Sequence, residues 1–325
     1  MLTRRSLLVA MAQAARPRKA LVSITLDLEM ARHYPTWDQT EWDYEKGNLT
    51  FEVKQYALEA ARRVRAKGGI IHFFAVGRVF EQPDISWLQE IVRAGHPVGN
   101  HTYDHVNLRA TTLEGLQPRF RRAPWLLEGM KPLEAIAKNI RMTSQAIRTR
   151  LGVEPAGFRA PGGFPEGLEN HPQVRRILLD HGFRWASTKY LPQSIGIPAY
   201  DPNGGPELDR EPPREVFDSI LDAQADSQPS VYRSGLIEVP MCPISDLIAF
   251  RTAHWKLDYF LKAVNETVQQ AIQRGFAYVL LAHPSCLSVN DPHFRTVDLV
   301  CDLVNASRGR AAITDLDAVA KGVMA

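Results

Sequence analysis

Short apolar runs alternate with longer amphipathic stretches through most of this chain. Residues 21–26 read as a strand, and 51–67 has helical periodicity that stops at Gly68 and Gly69. Residues 70–76 predict a second strand and 86–94 a second helix ending at Gly95. Val98 leads a short third strand, and 131–151 is a long helix ending at Gly152. Further short strands are expected near Gly157 and Phe158, at 183–185, 236–239 and 277–281, with a helix over 256–274 and an eighth strand at 311–313. Repeated β-α alternation argues for a parallel sheet with helical crossovers. Seven or eight such units predict an α/β fold, a distorted (β/α) barrel with seven or eight parallel strands. Residues 191–234, rich in Pro, Gly, Asp and Gln, read as an insertion or lid over the barrel mouth, and 109–132 as a second excursion.

Length and composition narrow this only a little. A chain of 325 residues suits two ordinary domains or one large barrel, and 45% hydrophobic with 23% charged residues fits a large buried core. A formal charge of +3 gives no case for nucleic acid, and Arg119, Arg121 and Arg122 read as a solvated face. Cys242, Cys286 and Cys301 are widely spaced and read as buried or free thiols. The start of the chain has Arg4 and Arg5, a short apolar run, then Ala12, Gln13 and Ala14 in an A-x-A-like pattern. Residues 1–19 are therefore read as an export signal resembling the twin-arginine type, which would send the protein to the periplasm or outside the cell. The other reading is a disordered arm on a cytoplasmic protein. Residues 20–325 are expected to form one domain, with no stretch approaching the ~18 apolar residues of a transmembrane segment.

The informative polar residues fall at strand ends, where parallel barrels carry their chemistry. The first strand closes on Asp27 and Glu29, which alternation points to one side. The third delivers His101 and His105, four apart, a spacing expected to place both rings on one helical turn and one metal. Two histidines and a carboxylate leave coordination positions open, which suits a catalytic metal holding water. Phe158 to Gly163 brings Arg159 and a glycine turn to the same end, and the last strand ends on His283.

Together these segments resemble the polysaccharide deacetylases, the NodB-homology group of carbohydrate esterases. The family's H-[ST]-x-x-H motif matches His101 to His105, its R-x-P-x-G motif matches Arg159 to Gly163, and its apolar strand closing on histidine matches Leu281, Ala282 and His283. The first motif departs from the usual T-F-D-D-G. Leu28 stands at the second Asp position, so Asp27, Leu28 and Glu29 resemble the D-x-E branch. The segment around Trp185 offers no obvious acid to orient Arg159, and Gly162 stands where many members carry an aromatic.

The resemblance implies a metal-dependent hydrolase that removes N-acetyl or O-acetyl groups from a glycan. It implies one divalent ion, zinc first, with cobalt, manganese, nickel or iron also suited, held by Glu29, His101 and His105. Asp27 is then the general base, Arg159 its charge partner and His283 the acid that protonates the leaving amine. Backbone N–H groups near Tyr103 would help hold the oxyanion. Tyr103, Trp185, Gly162 and Trp255 are the substrate-contact candidates, with Trp255 expected to be exposed. Two alternatives stay open: an allantoinase-like hydrolase of a small cyclic amide, and an inactive sugar-binding relic. The number of subunits is left open.

Overall fold

The computed structural model describes residues 18–192 and 211–324. The expected export segment, apart from Arg18 and Lys19, lies outside the described residues, as do residues 193–210 of the insertion. Nine strands are found among the described residues: β1 (Ala20–Leu28), β2 (Ile71–Ala75), β3 (Val98–Asn100), β4 (Phe158–Phe164), β5 (Trp185–Lys189), β6 (Ser230–Val231), β7 (Ile237–Glu238), β8 (Ala277–Ala282) and β9 (Ala311–Ile313). Seven pair in parallel in the order β7-β5-β4-β3-β2-β1-β8, β9 adds in parallel to the start of β1, and β6 pairs antiparallel to β7. The sheet curls into a half-barrel wrapped by helices. Among the described residues no ladder joins β7 to β8. One main-chain bond bridges that seam, Cys242 N–H to Val279 O at 2.8 Å.

The alternation of β1 shows how the sequence builds this shape. Val22, Ile24, Leu26 and Leu28 face outward into one large core with the helices α1 (Phe51–Ala66), α6 (Leu257–Arg274) and α8 (Arg295–Ala306). Residues between them face the barrel interior, where Thr25 Oγ donates to Leu280 O at 2.5 Å and Asp27 meets Arg159. Helix α1 turns Val53, Ala57, Ala60, Ala61 and Val64 to the sheet, the spacing of one helical stripe. Helices α2 (Ser86–Arg93), α3 (Pro132–Leu151) and α4 (Pro172–Asp180) follow β2, β3 and β4 and form the crossovers between neighbouring parallel strands. Helix α3 starts with Glu134 accepting from Lys131 N–H at 2.9 Å, a box that satisfies an otherwise orphaned donor.

The far end of the barrel is closed by the last helix, α9 (Leu316–Met324), whose Leu316, Val319 and Ala320 pack with Phe74, Trp185 and Val279 inside the sheet. Trp185 opens β5 and so belongs to this closed end, its Nε1 donating to Asp317 at 2.5 Å. Gly157, at φ +72, makes the space for it, since a Cβ there would run into the Trp185 ring.

The insertion corrects one expectation. Helix α5 (Arg214–Asp226) is no lid: Val216, Phe217 and Ile220 belong to the main core, and Gln224 donates to Ala277 O at 3.1 Å. Its apolar stripe demands a wall position in the helix layer. The three cysteines are buried and free, as expected.

Candidate active site

The C-terminal ends of β1, β3 and β8 deliver Asp27, Glu29, His101, His105 and His283 to one cavity of about 350 Å³. All but His105 are close to fully buried. Glu29 Oε2 is the meeting point: it lies 3.3 Å from His101 Nε2 and 3.8 Å from Lys46 Nζ, and it touches His105 Nε2. Asp27 Oδ2 lies 3.8 Å from His101 Nε2.

The histidine pair converges by a different route from the one expected. Residues 101–105 form no helical turn, and both Thr102 and His105 take left-handed backbone, at φ 56 and 58. Such geometry is costly for a β-branched or bulky residue and persists only where neighbours fix it. Here Asn100 Oδ1 accepts from Thr102 N–H at 2.8 Å, Thr102 Oγ1 from Val106 N–H at 3.0 Å, and Asn139 Oδ1 from Asp104 N–H at 2.8 Å. Asn100 is itself anchored to α3 through Ile140 O and Ser144 Oγ. The same bonds commit the amides of Thr102 and Asp104 on either side of Tyr103.

Each ring is held by its second nitrogen. His101 Nδ1 lies 2.9 Å from Arg159 O, which fixes the proton there and leaves Nε2 bare toward Glu29. His105 Nδ1 lies 2.9 Å from Lys46 Nζ. Gly47, at φ +81, places Lys46: its N–H donates to Glu29 O at 2.7 Å, and a Cβ would sit 2.6 Å from the Cβ of Arg78. His283 donates twice to Asp246, from Nδ1 to Oδ1 at 2.8 Å and from its backbone N–H to Oδ2 at 2.6 Å, and points Nε2 toward Glu29 Oε1 at 3.6 Å.

Charges follow from this packing. Burial alone would raise the Glu29 pKa, but His105 and Lys46 outweigh it and hold the carboxyl well below the usual range. Burial pushes His105 down to about 3, against the pull of Glu29. Burial likewise draws Lys46 down to about 8 despite Glu29 and Asp43. His283 goes the other way. Burial would lower it, yet Asp246 lifts it to about 9.

Arg159 is fully buried inside the barrel, with Nη1 3.3 Å from Asp27 Oδ1 and Nη2 3.0 Å from Thr25 Oγ1, stacked on Phe74 at 4.5 Å. As the sequence indicates, the Trp185 segment brings no acid to Arg159; Asp27 is the carboxylate it touches, and Glu238 of β7 accepts instead from Thr188 Oγ1 at 2.6 Å and Tyr232 Oη at 2.7 Å. Gly162, at φ +73 in the irregular part of β4, lines the cavity.

The aromatic candidates from sequence are not in the cavity. Trp255 is buried in the main core, 5.9 Å from the Phe217 ring, where exposure was expected. Trp185 is at the closed end of the barrel. Tyr103 turns away, its ring covering Gly77 and its hydroxyl donating to Glu81 at 2.9 Å. Trp37 and Trp42 line the cavity instead. They sit in the segment after β1, Trp42 in the short helix Glu41–Glu45, and a parallel barrel places that segment at its mouth, so its position was the available signal. Nothing in the local sequence flagged Lys46 or Asp246, because both act across long separations.

The donor set fits a divalent ion. One oxygen of Glu29 and one nitrogen each of His101 and His105 lie within 4.8 Å of one another and face the cavity.

A curled parallel sheet with paired histidines and carboxylates at its C-terminal mouth is the NodB-type deacetylase barrel. Residues 48–186 match the family model described as polysaccharide deacetylase. The match contains His101, His105 and Arg159, while Asp27, Glu29 and His283 lie outside it. Among solved structures, one from Mycobacterium smegmatis attributed to a polysaccharide deacetylase covers 95% of this chain and 92% of its own at 15% identity and a TM-score of 0.58. One from Pseudomonas aeruginosa PAO1, attributed likewise, covers 93% and 89% at 12% identity and 0.55. The allantoinase Puue covers 99% and 95% at 13% identity and 0.53. Identities this low establish the shared fold. No curated protein sequence gives a match.

Proposed function

We propose that this chain is a metal-dependent hydrolase that removes an acetyl group, from an amide nitrogen in the first instance. The observation that carries the reading is the convergence of Asp27, Glu29, His101, His105 and His283 on one cavity with Arg159 behind them. The match of residues 48–186 to a polysaccharide deacetylase family model supports it. A divalent ion held by Glu29, His101 and His105 would, when bound, make a water more acidic and polarise the scissile carbonyl. Zinc is the first expectation for this ligand set, with cobalt, manganese, nickel or iron as other occupants.

The remaining work belongs to the side chains. Asp27 takes a proton from the attacking water. Arg159 positions Asp27 and balances its charge in a buried setting. His283, protonated through Asp246, gives its proton to the leaving nitrogen, so that acetate and a free amine result.

The family reading carries the acetyl group on a glycan. The second reading, hydrolysis of a small amide of the kind the name of the Puue relative implies, is favoured by the bounded cavity. A sugar-binding relic would not retain the whole constellation. Export by residues 1–19 is part of the same proposal, and cell fractionation would test it. Acetate release from a panel of acetylated glycans and small amides, by protein loaded with zinc and by chelated protein, tests the function. Metal-dependent acetate release is expected; absence of both stoichiometric metal and acetate would overturn it.

A further inference from the structure

The cavity has a polar floor and apolar walls. Its carboxylates and imidazoles lie at the bottom, while Trp37, Trp42, Met241, Leu247, Ile248 and Leu281 stand above them. Two of these walls are built as one piece. Trp37 and Trp42 meet edge to face, with centroids 6.3 Å apart and planes at 76°, so they make a corner and not a flat platform. Trp42 stands 6.5 Å from the His105 ring and covers Lys46 Nζ at 3.8 Å.

The corner is pinned from the opposite side of the mouth. Arg251 is fully buried in the π-helical turn Leu247–Thr252, and its Nε and Nη2 donate to Thr36 O at 3.1 and 2.7 Å. Its guanidinium lies 4.0 Å from the Trp37 ring and 5.1 Å from that of Trp42. Trp37 Nε1 also donates to Thr252 Oγ1 at 3.2 Å. A tryptophan with half its surface exposed is thus held by a buried cation and a hydrogen bond, an arrangement that ordinary solubility does not require.

A sugar placed here would lose water from several hydroxyls, each needing a new partner or costing about 1–3 kcal/mol. Several polar groups of the walls are already engaged, Ser245 Oγ among them, which accepts from Ile248 N–H at 3.3 Å. The Trp37 indole N–H is taken by Thr252, and the Tyr190 hydroxyl donates to Pro243 O at 2.9 Å. A volume of about 350 Å³ also sits at the small end of ligand cavities, roughly 300–1,000 Å³.

We propose that the Trp37–Trp42 corner, pinned by Arg251, selects a compact amide whose amine side carries an aromatic or alkyl group, in preference to an acetylated sugar. This rests on the amide-hydrolase reading above and names its substrate class. The corner packs edge and face against that group while the amide reaches the floor.

The test compares N-benzylacetamide, N-acetylglucosamine and acetylated chitotetraose on zinc-loaded wild type, Trp42→Ala and Trp37→Ala. Acetate release gives kcat/KM, and calorimetry on the Asp27→Asn protein gives affinity without turnover. At least a tenfold preference for N-benzylacetamide is expected in wild type, in rate or in affinity, falling at least fivefold in either tryptophan variant. Trp37 is half exposed, so its variant keeps the comparison usable if Trp42→Ala fails to fold. A preference for either sugar, or a benzyl preference untouched by both variants, overturns the proposal while leaving the hydrolase reading standing. Tryptophan-dependent binding of N-benzylacetamide with no hydrolysis of any amide supports the corner and sinks the hydrolase reading. Neither binding nor hydrolysis of N-benzylacetamide sinks the corner.

Discussion

Lys46 Nζ lies 2.9 Å from His105 Nδ1, and this contact sets which nitrogen of His105 is bare. An ammonium has donors and no acceptor, so a charged Lys46 forces the His105 proton onto Nε2, the nitrogen facing Glu29. A ligating His105 needs that nitrogen free. Metal uptake therefore expels a proton from the Lys46–His105 pair. Zinc affinity is expected to rise with pH up to about 8, where Lys46 loses its charge. Lys46→Gln, whose carbonyl can accept from Nδ1–H, should bind zinc about 10–100-fold more tightly at neutral pH. Competition with a chromophoric chelator measures both, and identical affinities for the two proteins across pH would remove Lys46 from metal control.

Ligand and base are separable. Glu29→Gln, His101→Ala and His105→Ala should each lose stoichiometric metal, whereas Asp27→Asn should keep it and lose turnover. Metal analysis beside acetate release decides the matter. Wild-type rates in Asp27→Asn would show that another group takes the proton.

Removing Arg159 strands a buried carboxylate. Arg159→Met should lower stability by roughly 3–5 kcal/mol, the usual consequence of breaking a buried pair from one side. The double variant Arg159→Met, Asp27→Asn should recover part of that loss, because no uncompensated charge remains. Denaturant unfolding of the two variants reads the difference directly.

The pH behaviour of His283 carries a definite sign. Its folded pKa of about 9 lies above the ordinary value of 6.5. The stabilisation this represents is full below about 6.5 and is lost as pH rises through about 9. A group that must donate a proton obeys the same limit, so kcat should fall over that alkaline range. Asp246→Asn removes the carboxylate responsible and should move the alkaline limb of kcat toward neutrality. A limb unmoved by this change would mean that His283 is not the acid.

Much of the fold was legible because the hydrophobic period changes where the elements change. Alternation in 20–28 and the stripe of Val53, Ala57, Ala60 and Val64 leave few other folds open. The strand-end residues were legible for the same reason: a parallel barrel sends Asp27, His101 and His283 to one mouth. What escaped was held by long-range packing. The spacing of His101 and His105 suggests a helical turn, yet bonds from Asn100 and Asn139 impose left-handed backbone. Trp255 looked exposed from its polar neighbours, but its ring completes the core beside Phe217. Lys46 and Asp246 reach the site from turns whose local sequence has no periodicity to read.

The seam at Cys242 and Val279 has a consequence for how such a site diversifies. The strands that present the reactive floor, β1, β3 and β8, belong to one continuous parallel ladder. Met241, Leu247 and Ile248 hang from the chain that crosses the seam, where a single backbone bond replaces a ladder. Insertions or substitutions on that crossing can reshape the mouth without disturbing the register beneath it. Asp246 lies on the same crossing and holds His283, so the mouth can drift around that one anchor while the chemistry presented by the ladder stays fixed.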